Sequence, residues 1–244
     1  MIFWLLRVLA LLVGAGALLG IVLGLLQNFH PAMDSFSHFR LHLIVVLVIS
    51  CVILVFVSRR STRTVALLLA ALGIGWLFVD FSKGPAETGE RGAVRLAQFN
   101  LNFRNRVMDQ VGQALIDNDV DLVMLQEVTA KHEAALRGLS AFPHQTHCSF
   151  RDFVGAVSIL SKYPLSGINC VKGQGLVTAL VELPDGAVTV GSIHTFWPWP
   201  YRQHAQVDKW VSELRKTWGP MIIAGDFNAA PWSHAVAKLS LIHI

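Results

Sequence analysis

The chain has 244 residues, enough for one or two domains, and carries a formal charge of +4. At 53% hydrophobic residues and a mean hydropathy of +0.52 it is too apolar to be wholly soluble, and the excess lies at the front. Residues 1–80 hold five arginines against two aspartates, and no Lys/Arg cluster follows, which argues against a non-specific duplex binder with a broad basic face.

Three apolar runs come first: Phe3–Leu26, broken only by Arg7, then Leu41–Val57 and Thr64–Phe81. Each approaches the length that crosses a hydrocarbon core of about 30 Å. A signal peptide would account for the first run but not for the next two. Residues 1–81 are therefore predicted to be a membrane anchor of three helices, at about 3–26, 41–57 and 64–81. The loop Ser58–Arg63 (SRRSTR) holds three arginines and is expected on the cytoplasmic side. That puts everything after Phe81 on the periplasmic or outer face of the plasma membrane. Trp4 and Trp76 lie near span ends, where interfacial aromatics gather.

Residues 82–93 are polar and glycine-rich and read as a linker. Beyond them, Val94–Phe99 is a predicted strand and Arg104–Asn118 a helix with one apolar stripe. Val120–Gln126 is a second strand, and Thr129 is placed to cap a helix that runs to Leu139. Val154–Leu160 is a third strand, closed by Ser161-Lys162-Tyr163-Pro164. Leu176–Leu183 and Ala187–His194 flank Pro184-Asp185-Gly186, a hairpin signal. An amphipathic helix follows over Tyr201–Trp218, then the strand Met221–Gly225 and a helix over Pro231–Leu239. Mixed strands, helices and a hairpin favour a layered α/β or α+β sandwich. Cys51 reads as a small core residue, while Cys148 and Cys170 fit no metal spacing and are expected to stay unpaired.

Polar residues recur at the strand ends. Asn100 and Asn102 follow the first predicted strand, Glu127 the second, His194 the hairpin, and Asp226 and Asn228 the last. If the extended period of two persists, Asp226 and Asn228 share a side. Carboxylates and amide oxygens with few histidines suit a hard divalent ion such as Mg²⁺, with Mn²⁺ as a substitute. Such an ion polarises phosphoryl oxygens and acidifies bound water. His194 is placed to act as a general acid or to donate to a phosphate oxygen. His204 and His234 read as surface residues, and the aromatic run Phe196–Tyr201 as a cleft wall, a bilayer-facing patch or packing. There is no nucleophile elbow, Walker A loop or zinc-peptidase motif in the sequence. The spans hold no buried acid or lysine that would suggest a transporter.

The segments AQFNLN (97–102), VDLVMLQEV (120–128), VGAVSILSKYPL (154–165), GSIHT (191–195) and AGDFN (224–228) occur in this order. Together they resemble the endonuclease/exonuclease/phosphatase superfamily, which includes DNase I-like nucleases, inositol-phosphate phosphatases and bacterial sphingomyelinases. The front block resembles that of its membrane-tethered bacterial members. The resemblance implies a four-layered sandwich over 94–244 and metal-dependent phosphoester hydrolysis of a nucleic acid, a phospholipid or a small phosphoester. It implies Glu127 as the main metal ligand, with Asn100 and Asn102 near the ion. By the same resemblance His194 and Asn228 contact the phosphate, and Asp226 orients the attacking water. Such members end in an aspartate and an Asp-His pair that the sequence before Ile244 does not contain, and His243 follows an isoleucine. The chain is thus expected to be a fragment of a longer enzyme. The alternative is a membrane-tethered binding or assembly module without turnover.

Overall fold

The computed structural model describes residues 1–82, 94–151 and 154–240. The linker predicted over 82–93 lies outside the described residues apart from Ser82, and so does His243. The helices α1 (Ile2–Leu25), α2 (Pro31–His38), α3 (Arg40–Val57) and α4 (Arg60–Ser82) come first. Then follow β1 (Leu96–Asn100), α5 (Met108–Asp117), β2 (Leu122–Val128), α6 (Ala130–Arg137), β3 (His144–Arg151) and β4 (Gly155–Ser161). The chain continues through β5 (Leu165–Val171), β6 (Leu176–Leu183), β7 (Gly186–His194), α7 (Gln203–Leu214), β8 (Met221–Asp226) and α8 (His234–Ser240).

The chain forms two compact units. One comprises Met1–Thr88 with Pro198–Tyr201 and Ala229–Ala237, and the other Gly89–Trp197 with Arg202–Asn228 and Lys238–Ile244. In the first, α1, α3 and α4 are long and apolar enough to cross a membrane. Small residues make their close approach possible: apart from Ile21, the buried positions of α1 are Ala10, Gly14, Ala17, Gly20 and Gly24. A Cβ on Gly14 would sit 3.2 Å from that of Ser50 on α3. The α3–α4 connection is shorter than expected. Helix α4 starts at Arg60, so two of the three loop arginines, Arg60 and Arg63, ride on its first turn. Where α3 begins and α4 ends, Arg40 and Asp80 pair at 2.8 Å, with the guanidinium 5.3 Å from the Trp76 ring.

The second unit is a sandwich of two four-stranded sheets, ordered β1-β2-β4-β3 and β5-β6-β7-β8. Strand β2 is buried on both faces, and its alternation assigns each face. Leu122 and Met124 meet Val177, Ala179, Val181, Val188 and Val190 of the opposite sheet. Val123 and Leu125 face outward onto Leu115 of α5 and Leu136 of α6. On the far side Trp210 and Leu214 of α7 cover Leu176 and Ile193. Helices, sheet, sheet and helix make the four layers expected.

The sequence reading missed β3 and β5, and both are edge strands. An edge strand needs little apolar content, and HQTHCSFR and LSGINCV lack the buried run that marks β2 or β4. That omission also explains the error over the cysteines. Stacking places β3 beside β5, and Cys148 and Cys170 form a disulfide between the two sheets, while Cys51 is free and buried. Closing a loop with a sequence separation of 22 stabilises the fold by about 3 kcal/mol in the chain-entropy estimate. The denatured, unreduced full chain should therefore titrate with one thiol and the reduced chain with three. Replacing both Cys148 and Cys170 by serine should lower the unfolding free energy of the sandwich by about 3 kcal/mol. Three reactive thiols before reduction would refute the bridge.

Candidate active site

Strands β1 and β2 run parallel, as do β7 and β8, with Asn100 opposite Gln126 and His194 opposite Asp226. Four strand ends thus meet at one edge of the sandwich. The parity of β2 alone would aim Glu127 away from Gln126 and out of the inter-sheet space. It does not, because Glu127 adopts φ +58 where the β2–β4 register slips between Leu125 and Val128. A left-handed backbone at a glutamate costs about 1–3 kcal/mol and persists only where its surroundings impose it. Here they do. His132 is buried beneath it, with Nδ1 3.2 Å from the Glu127 carbonyl and Nε2 3.0 Å from that of Asn105. Thr129 and His132 form a reciprocal capping box that fixes α6 directly after the bulge.

The carboxylates of Glu127 and Asp226 come together around one amide. Asn100 Nδ2 donates to Glu127 Oε1 and to Asp226 Oδ2, both at 2.9 Å. The Phe103 N–H donates to Glu127 Oε2 at 2.8 Å, and the Asn228 N–H to Asp226 Oδ1 at 2.9 Å. His194 Nε2 stands 3.7 Å from Asp226 Oδ2 and 4.0 Å from Glu127 Oε1. These gaps are too long for direct hydrogen bonds. Burial pushes the His194 pKa down, against the pull of the Asp226 and Glu127 charges, and the nearby Arg151 charge pushes the same way as burial. The imidazole is therefore neutral at pH 7, and with Nδ1 buried and unpartnered, the two carboxylates favour a proton on Nε2, aimed into the cleft.

Not every expected residue joins this cluster. Asn102 (φ +60) holds Asn100 in place by donating its backbone N–H to Asn100 Oδ1 at 2.8 Å. Its own side-chain oxygen accepts from the Arg104 N–H instead of facing the carboxylates. The extended period breaks at Asp226. Asn228 turns to φ +43 and donates Nδ2 to the Thr195 carbonyl at 2.9 Å, which ties the β8 loop to the β7 loop. In the aromatic run Phe196 packs on Phe150, which lies 5.1 Å from the His194 ring, whereas Trp197 is exposed.

Several supporting side chains escaped the sequence reading. Gln98 Nε2 donates to Gln126 Oε1 at 2.8 Å, Gln126 Nε2 to Ser192 Oγ at 3.0 Å, and Ser192 Oγ to the Leu125 carbonyl at 3.1 Å. This relay, in which Gln126 and Ser192 are buried and Gln98 is exposed, joins the sheets beneath the cluster. From α7, Gln203 Nε2 donates to the Phe196, Phe227 and Asn228 carbonyls, and Gln206 Nε2 to those of Gln174 and His194. Gln203 and Gln206, seven and four positions before Trp210 and so on its face of α7, are the available signal, since polar residues on an apolar face are informative.

Residues 97–241 match the Endonuclease/Exonuclease/phosphatase family. The chain belongs to that family. Among solved structures, an endonuclease/exonuclease/phosphatase from Bacteroides vulgatus aligns at TM-score 0.51 and 17% identity, over 60% of this chain and 70% of that one. A mutant beta toxin from Staphylococcus aureus with bound magnesium ions aligns at TM-score 0.50 and 18% identity, over 60% and 69%. At these identities the likeness is one of fold. No curated protein matches the chain.

Among the described residues no group of three or more His, Cys, Asp or Glu side chains forms a metal cage. The donors nevertheless fit a hard, oxygen-seeking cation. Two carboxylate oxygens share one neutral amide as their common partner, with no buried cation between them. Mg²⁺ is commonly held by one or two carboxylates together with substrate phosphate rather than by an all-protein cage.

Close approach of the β7 and β8 backbones sets the whole edge. Gly225 lies at φ +157, and a Cβ there would sit 2.0 Å from the Ile193 carbonyl oxygen. Gly225→Ala should therefore destabilise the sandwich by more than about 3 kcal/mol, because both backbone conformation and space oppose it. A chemical-denaturation midpoint within error of the parent chain would contradict this packing.

Proposed function

We propose that the sandwich is the catalytic part of a membrane-anchored, divalent-cation-dependent phosphoester hydrolase working at the outer face of the plasma membrane. The observation that carries this reading is the pair of carboxylates, Glu127 and Asp226, drawn to one amide with the His194 imidazole facing both. Membership of a family named for nucleases and phosphatases supports it. A disulfide supports the outer face, because such bonds persist in oxidising compartments. Arg59, Arg60 and Arg63 support the same orientation through the positive-inside tendency.

Glu127, with Asn100, would hold Mg²⁺ or Mn²⁺, and Asn102 contributes by fixing Asn100. When bound, the ion supplies charge to a phosphoryl oxygen and lowers the pKa of coordinated water. Asp226, held on both carboxylate oxygens, orients the attacking water in line with the ester bond. His194 donates its Nε2–H to a phosphoryl oxygen, which accumulates charge as the new P–O bond forms and the ester P–O bond breaks. One N–H of Asn228 is spent on Thr195, and the other is available to the same phosphoryl group. The phosphoester belongs to a nucleic acid, a phospholipid or a small molecule near the bilayer.

The test uses the full-length gene product in detergent, with bis-p-nitrophenyl phosphate as substrate and Mg²⁺ or EDTA added. Glu127→Gln should lose about a hundredfold or more of the metal-dependent turnover while keeping the unfolding midpoint. Asp226→Asn should lower kcat more than it raises KM. Unchanged turnover in Glu127→Gln would sink the metal assignment. A folded parent chain that turns over no phosphoester with Mg²⁺ would favour a binding or assembly role.

A further inference from the structure

We infer that the sandwich carries a second anion site beside the catalytic cleft, which binds a phosphate group of the substrate other than the one hydrolysed. Its assignment to the substrate rests on the hydrolase reading above, whereas its existence as an anion site does not. The site is a cavity of about 130 Å³ lined by Gln174, Phe196, Arg202, Ala205, Gln206 and Lys209. Arg202 precedes α7, and positions 202, 205, 206 and 209 fall on one helical face. Ala205 leaves the room between the two cations. The volume is well below the roughly 300–1,000 Å³ of pockets for drug-sized ligands, and suits a small anion.

The chemistry follows from what hydrogen-bonding capacity is left in the walls. Gln206 is used at both ends, since Oε1 accepts from the Phe196 N–H at 2.6 Å and Nε2 donates to the carbonyls of Gln174 and His194. The Gln174 carbonyl already accepts from Gln206 and from the Trp210 indole. The two charged groups on the cavity, Arg202 and Lys209, are donors without an acceptor atom. Among the described residues neither is in an ion pair, and the adjacent Asp208 is engaged by Lys238. Arg151 does not line the cavity, but its guanidinium lies 4.5 Å from the centre of the Phe196 ring that does. Two solvent-facing cations on the wall of a small cavity, with neither in an ion pair among the described residues, select an oxyanion.

The cavity is coupled to the catalytic edge by one side chain. Gln206 forms its wall and also holds the His194 backbone carbonyl. A substrate anchored there by one phosphate would present a neighbouring phosphoester to the cleft. The substrate class is accordingly a phosphoester with a second phosphate close by, whereas an isolated diester with two uncharged arms engages the cleft alone and gains nothing from the second site.

Binding of inorganic phosphate to the full chain in EDTA, followed by calorimetry, tests the site without any turnover. The double change Arg202→Gln with Lys209→Gln should weaken binding roughly tenfold, with the unfolding midpoint unchanged. The charge-conserving pair Arg202→Lys with Lys209→Arg should keep most of the affinity, and Ala205→Leu, which fills the cavity without touching charge, should lose it. Glu127→Gln should leave it intact. Equal affinity in the double glutamine variant, or loss confined to Glu127→Gln, would overturn the site. Competition then separates the sources of the phosphate. One pair is a dinucleotide with and without a 5′-phosphate, and the other is glycerophosphoinositol with and without a ring phosphate. A gain from the added phosphate that vanishes in the double variant names the source. No gain in either pair overturns the role in substrate binding.

Discussion

Two carboxylates held against one amide form the constraint around which this sandwich is arranged. Like charges at such a distance repel, and the repulsion grows as water is removed. The fold meets it with hydrogen bonds to each remaining oxygen: the Phe103 N–H on Glu127 and the Asn228 N–H on Asp226. Both donors belong to loops that follow strands, so the electrostatics of the site depend on loop conformation. That dependence explains why three non-glycine residues of the region, Asn102, Glu127 and Asn228, occupy left-handed backbone. Each turns a backbone or side-chain group that an extended strand would aim elsewhere.

Keeping those loops still requires support from deeper in the fold. The Gln98–Gln126–Ser192 relay occupies the inter-sheet space just where the apolar core of Met124, Val177 and Val190 ends. A polar network in that position is stabilising only while every member is satisfied, and it fixes the relative slide of the two sheets to within a hydrogen-bond length. On the other flank, Gln203 and Gln206 bind the backbone of the β7 and β8 loops from α7. The disulfide joins the edge strands β3 and β5, neither of which has a continuous buried run to hold it. Covalent bond, relay and glutamine ties act at different points on the same problem, which is to keep four strand ends in register across two sheets.

The sequence was most legible where burial dominates. Strands β2, β4, β6, β7 and β8 are mostly apolar, and the polar residues at the ends of β2, β7 and β8, namely Glu127, His194 and Asp226, mark the edge where the site lies. Strands β3 and β5 were not legible, because edge strands lean on a neighbour and need little hydrophobic signal of their own. Their pairing alone brings Cys148 next to Cys170, so the bridge was hidden by the same gap. The identities of Asn100, Glu127, His194 and Asp226 could be read from strand ends, but not the turn at Glu127 that makes them converge. A period of two predicts the wrong face for that residue, and the positive φ that corrects it depends on His132 and on the slip against β4. Asn228 shows the converse. Its spacing from Asp226 suggested a shared face, yet the chain has already left the strand, and its amide ties two loops together.

Compartment and anchor bear on the chemistry as well as on address. A disulfide between the two sheets and an arginine-rich turn between α3 and α4 are independent features, one in each compact unit, and both favour the outer face. Under the proposed function three spans tether the sandwich through a short stretch of chain, and its substrates lie at the surface of a bilayer. Diffusion there is confined, and a substrate in or near the membrane is met at high effective concentration. Specificity then has to come from charge placement rather than from a large apolar pocket. On the proposed reading the cleft at the strand ends takes one phosphoryl group, and the cations along α7 take its neighbour. The near-neutral balance of the sandwich fits this arrangement, because local cations facing a cavity select an anion without drawing the whole domain onto every anionic surface.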